Sequence, residues 1–91
     1  MLIVDKNYVL REINGFYILA SCGKCENRKW IYELNSTGAL IWKMCTCGID
    51  LEILVEQLET HYLQTFTAVE ENRIKQYIDV LKKESLLKEM N

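Results

Sequence analysis

Apolar and polar residues alternate along the first third of the chain and recur at helical spacing along the rest. The two periods meet between Trp30 and Trp42, W-I-Y-E-L-N-S-T-G-A-L-I-W. Up to Leu34 the residues read as a strand, with Trp30, Tyr32 and Leu34 on one face and Ile31 and Glu33 on the other. At Asn35 the period changes. Asn35 and Ser36 are good N-cap residues, because a short side-chain oxygen accepts from the unpaired amides of a first helical turn. Ala39, Leu40, Trp42 and Met44 then give a short helix with a broad apolar face.

Upstream, Tyr8 to Ile13 (Y-V-L-R-E-I) reads as a strand and Asn14-Gly15 as its hairpin turn, since both turn residues tolerate positive φ. Phe16 to Ala20 is the returning strand, which sets Ile13 opposite Phe16 and Leu10 opposite Leu19. Both faces of this hairpin carry apolar residues, so alternation leaves open which one is buried. Ser21 to Asn27 is a polar turn and Arg28 to Leu34 a third strand, with the first and third strands as the sheet's edges. Downstream, Cys45 to Ile49 interrupts the pattern and Asp50 can cap a second helix. There Leu51, Leu54, Val55, Leu58 and Tyr62 form one stripe. Gln64 to Phe66 connects, and Thr67 with Glu70 matches a capping box. The third helix shows Ile74, Tyr77, Ile78 and Leu81 on one face, with Lys82 and Lys83 at the negative end of its dipole. Leu86 and Leu87 should fold back onto the core. The predicted class is α+β, a three-stranded antiparallel meander followed by three helices (β-β-β-α-α-α). It is winged helix-turn-helix-like if the last two helices pair.

Ninety-one residues suit one domain, 1–91, which buries somewhat over ~60% of its unfolded surface. A net charge of −2 argues against a nucleic-acid partner, which calls for a basic face. No apolar run approaches the ~20 residues that span a bilayer, and Asp5 and Lys6 cut short any signal-peptide core. The expected location is the cytoplasm, with no membrane partner. Catalysis by this chain is not expected. The single histidine, His61, sits in a polar helix end. The carboxylates are scattered over helix surfaces, and no glycine-rich phosphate loop exists.

The four cysteines pose the one chemical question. Nineteen residues separate Cys22-Gly-Lys-Cys25 from Cys45-Thr-Cys47, close to the interval of structural zinc sites, although a second pair is usually C-x-x-C. If the first helix runs back along the third strand, both pairs sit at one end of the domain. The alternative is a small buried apolar Cys45 with the others as loop thiols. No cofactor is assigned beyond that candidate zinc.

The element order and one motif together resemble the PqqD family, the peptide chaperones of pyrroloquinoline quinone biosynthesis, also called RiPP recognition elements. The resemblance rests on Tyr8 to Ile13, the Leu34-Asn35-x-Thr37-Gly38-Ala39-x-Ile41-Trp42 box, Leu54 to Tyr62, and Ile78 to Leu87. The cysteine pairs are not part of the family pattern. The resemblance implies a non-catalytic module that captures the leader of a ribosomally made precursor and presents it to a separate enzyme. That enzyme would be a radical SAM maturase or a leader protease and cyclase. The leader would add to the third strand and lie against the third helix.

Edge-strand physics points the same way, because exposed strand edges are either protected or used, and guest-strand addition is a recurrent use. The candidate peptide-binding residues are Lys29, Trp30, Ile31, Tyr32 and Glu33 on the strand, with Arg73, Ile74, Tyr77, Ile78 and Leu81 on the helix. Arg73 could pair with an acidic leader residue, whereas for Ile74, Ile78 and Leu81 a plain core role is the better fit. The helix order alone also suits a winged-helix DNA-binding regulator, but the third helix opens V-E-E-N-R and mixes signs throughout. A metal or redox adaptor built on the cysteines is the third reading. Edge strands also allow a homodimer.

Overall fold

A computed structural model describes residues 1–21 and 31–90, with Ile31 represented by its backbone alone. Cys22, Cys25, Lys29, Trp30 and the expected Ser21–Asn27 turn lie outside the described residues, apart from Ser21 itself. The elements run β1 (Leu2–Val4), β2 (Tyr8–Ile13), β3 (Phe16–Ser21), β4 (Ile31–Leu34), α1 (Ser36–Met44), α2 (Leu51–Tyr62), α3 (Ala68–Lys83) and β5 (Leu87–Glu89). The expected meander is present as β2-β3-β4, and three helices follow it. The fold is α+β.

Asn14 and Gly15 turn the hairpin with φ of 51° and 83°, the left-handed values that the Asn-Gly pair tolerates. The turn fixes the register, with Ile13 opposite Phe16 and Leu10 opposite Leu19. Burial resolves what alternation left open. Tyr8, Leu19 and Leu34 are buried, with Leu10, Tyr17 and Tyr32 packed beside them. This face meets the helices through Ile41, Trp42, Leu54, Leu58, Ile78 and Leu81. The opposite face carries Val9, Ile13 and Phe16, all exposed.

Each helix begins as its sequence dictates, with one exception. The Asn35 side-chain oxygen accepts from the Gly38 amide at 2.7 Å, satisfying a first-turn donor of α1. Thr67 and Glu70 complete the capping box of α3. Asp50 occupies the N-cap of α2 without a side-chain cap bond. Its carboxylate lies 3.8 Å from the Met1 amine instead.

Two short strands were not anticipated. β1 pairs antiparallel with β5, Leu2 opposite Glu89 and Val4 opposite Leu87. Leu2 also exchanges backbone hydrogen bonds of 2.7 and 2.9 Å with Ile49, so the N-terminal segment joins the α1–α2 loop to the C-terminal strand. Leu86 and Leu87 do fold onto the core, each 1% exposed, and Leu87 does so as the first residue of a strand. Asp5, 3% exposed, accepts from the Asn7 amide at 2.9 Å and shapes the turn from β1 into β2.

Leu87 thus carries both strand pairing and core volume. Leu87→Ala should lower the unfolding free energy by about 2–5 kcal/mol through lost burial and the cavity left behind. Urea denaturation reads this directly. A change below about 0.5 kcal/mol, the range of ordinary surface substitutions, would show that the terminal strand pair is not part of the cooperative fold.

Candidate functional site

β4 is hydrogen-bonded to β3 on one side, in the register Tyr17–Leu34, Ile18–Glu33, Leu19–Tyr32 and Ala20–Ile31. Among the described residues no strand covers its other side. Every second amide and carbonyl of such an edge points outward, available to a further chain.

The neighbour of this edge is α3, held at two points. Near the start of β4, Tyr32 turns inward, meets the Tyr8 ring edge-on at 5.7 Å, and donates through its hydroxyl to the Glu84 carboxylate at 3.2 Å. Glu84 is the C-cap of α3. Just beyond the end of β4, the Tyr77 hydroxyl lies against the backbone of Gly38. Position 77 therefore meets the chain after Leu34, and position 84 meets the strand at 32. The helix runs antiparallel to β4. Any Cβ at position 38 would collide with the Tyr77 hydroxyl and crowd the Asn35 cap oxygen. Gly38 is needed for this close approach, and burial pushes the Tyr77 hydroxyl pKa up, keeping the group neutral.

The candidate residues divide accordingly. Tyr32 and Tyr77 are half-buried and sit at the two places where α3 meets the strand. Ile74, half-buried, lies one turn back on the same stripe, and Arg73 beside it is exposed. Ile78 and Leu81 are 2% and 4% exposed; they are core, supporting the helix from beneath. Glu33 is exposed and pairs with Ile18 on the face directed away from α3. At that position only the backbone belongs to the edge. Sequence reading missed Glu84, which no motif marks; Thr37, marked only as a member of the Leu34–Trp42 box, places its hydroxyl 2.8 Å from that of Tyr62 and fastens α2 to the first turn of α1.

No group of three or more His, Cys, Asp or Glu capable of holding a metal exists among the described residues. Cys45 lies at 0% exposure in the core, where desolvation pushes its thiol up to about 11. That environment is the one expected of a small buried apolar residue. Cys47 is an exposed free thiol.

An α+β domain with an uncovered strand edge beside a packed helix has the form of a binding module. The family model described as "Coenzyme PQQ synthesis protein D (PqqD)" matches residues 25–87, more than half of the chain. The chain belongs to the PqqD family. Family membership supports a peptide-binding accessory role in the biosynthesis of pyrroloquinoline quinone or related peptide-derived products. Neither the curated proteins nor the solved structures compared with the chain contain a match. No described helix is long and apolar enough to cross a membrane.

Gly38→Ala should destabilise the fold by about 1–3 kcal/mol through overpacking, and Tyr77→Phe in the same chain should recover part of that loss by removing the colliding oxygen. A double-mutant cycle of thermal melts measures the coupling; additive losses would place the conflict elsewhere. Cys47 should be alkylated at pH 8 in the folded protein while Cys45 reacts only after unfolding. Because the folded pKa of Cys45 exceeds the 9.0 of a free thiol, unfolding releases its proton more readily. Its contribution to stability is present below pH 9 and declines as pH rises from 9 to about 11. A Cys45→Ala variant with an unchanged alkaline stability slope would refute that assignment.

Proposed function

We propose that this chain captures the leader of a ribosomally synthesised precursor peptide as an added strand on β4, in a groove against α3. It presents the rest of the precursor to a separate modifying enzyme. The observation that carries this reading is the edge of β4, which no strand covers among the described residues, with α3 fixed alongside by Tyr32–Glu84 and Tyr77–Gly38. Membership of the PqqD family supports it. Backbone bonds along positions 29–33 would give affinity tolerant of sequence, and side-chain pockets would select leader residues. In this reading Tyr32, Ile74 and Tyr77 take apolar leader side chains, and exposed Arg73 takes an acidic one. Ile31 and Glu33 offer their backbone, and Ile78 and Leu81 keep the groove floor rigid; the candidates Lys29 and Trp30 lie outside the described residues. The modifying enzyme is of the radical SAM or the leader protease and cyclase class. The chain itself contributes binding and orientation, which raise the effective concentration of the substrate segment at that enzyme.

A titration of the isotopically labelled protein with its precursor leader tests this. Amides of Ile31 to Leu34 and of the exposed side of α3 from Arg73 to Tyr77 should shift, with the α2 face from Glu52 to Glu59 unmoved. Duplex DNA should shift neither set. Unmoved β4 amides at saturating leader, or DNA-dependent shifts along α3, would overturn the reading.

A further inference from the structure

An antiparallel sheet covered on one face normally turns a polar face to water. The meander does not. On the face away from the helices, Phe16 is 58%, Ile13 51% and Val9 38% exposed, with half-buried Ile18 and Ala20 between them. Charges are sparse there and ordered. Arg11 on β2 and Glu33 on β4 flank Ile18 on β3, in one row across the sheet. Two strand spacings of ~4.8 Å hold them about 10 Å apart, beyond direct pairing, and neither forms a salt bridge among the described residues.

We propose that this face is a two-fold interface between two copies of the chain, with the sheets stacked face to face about an axis parallel to β3. Such an axis keeps position along the strand and reverses position across it. Each row therefore meets its own reverse. Ile18 faces the partner's Ile18, and Phe16 faces the partner's Phe16. Arg11 meets the partner's Glu33 while Glu33 meets the partner's Arg11. The pattern is self-complementary, as an isologous contact requires, and aligned sheet packing is a standard arrangement of two apolar sheet faces. α3 lies on the other side of the sheet, so the outer edge of β4 stays accessible in both copies. The inference is independent of the peptide-binding reading. Three short strands offer less than the ~800 Å² per partner of a tight complex. Dissociation constants on the order of hundreds of micromolar are expected.

Sedimentation equilibrium of the intact chain tests the interface. Across a range from about 10 μM to about 1 mM, the weight-average mass should climb from 10.7 kDa toward twice that value. Phe16→Glu should weaken association at least about tenfold, with an unchanged circular dichroism spectrum because Phe16 is already mostly exposed. Should that variant misfold, Ile13→Lys replaces it. Arg11→Glu and Glu33→Arg should each weaken self-association, since each sets like charges together twice. An equimolar mixture of the two should recover it, because every reversed charge then faces an opposite one. A mass fixed at the monomer value up to about 1 mM overturns the proposal. So does a dimer indifferent to these substitutions, as edge-to-edge strand pairing would be, or a mixture no more associated than its components.

Discussion

The contact between the Tyr77 hydroxyl and the backbone of Gly38 sets the relation of sheet to helix on which the rest of the structure depends. Gly38 is the third residue of α1, where its amide is already held by the Asn35 oxygen. The strand-to-helix junction is therefore fixed on one side by its own cap and on the other by α3. Leu34 before it and Ala39, Ile41 and Trp42 after it are all buried. The box from Leu34 to Trp42 is scaffold almost throughout. What it positions is α3, whose far end then meets Tyr32 through Glu84. This junction and the Tyr32–Glu84 bond together hold α3 beside β4.

Much of the fold is legible in the sequence because its signals are local. Asn14-Gly15 specifies both the turn and the register, and the stripe of Leu51, Leu54, Val55 and Leu58 specifies the buried side of α2, although its last member, Tyr62, is exposed. Thr67 with Glu70 marks the start of α3. Two things are not local. Three-residue strands such as β1 and β5 are too short to show an alternation, and they pair across nearly the whole chain. The buried face of the hairpin is hidden for a different reason. Val9, Ile13 and Phe16 are as apolar as Leu10 and Leu19, so composition gives the two faces equal claim until the helices take one of them. Asp50 belongs to this class as well: its position at the N-cap is readable, but the competing attraction of the Met1 amine is tertiary.

The candidate site divides along the same line. Helical periodicity places Ile74, Tyr77, Ile78 and Leu81 on one stripe, yet a stripe does not say which members lie over the core and which at its margin. Packing decides that Ile78 and Leu81 are interior while Tyr77 reaches the strand junction. Strand alternation does separate Tyr32 from Glu33, and the structure agrees: one turns toward α3, the other away. The sequence allows Cys45 two roles, a small apolar core residue or a zinc ligand; it lies at zero exposure in the core, while Cys22 and Cys25 lie outside the described residues.

The β1–β5 pair closes the chain on itself. The Met1 amine donates to the Met90 carbonyl at 2.9 Å, and the Met90 amide donates to the Met1 carbonyl at 2.7 Å. Folding must bring together residues separated by almost the full contour of the chain, an ordering cost that grows as about (3/2)RT ln n. Residues 1 and 90 already stand a hydrogen bond apart, so a linker joining this backbone into a ring would have only a short distance to span. Such a ring would remove much of that closure entropy from the unfolded ensemble. Cyclisation is thus a stabilisation this topology is prepared to accept, and it leaves the edge of β4 untouched.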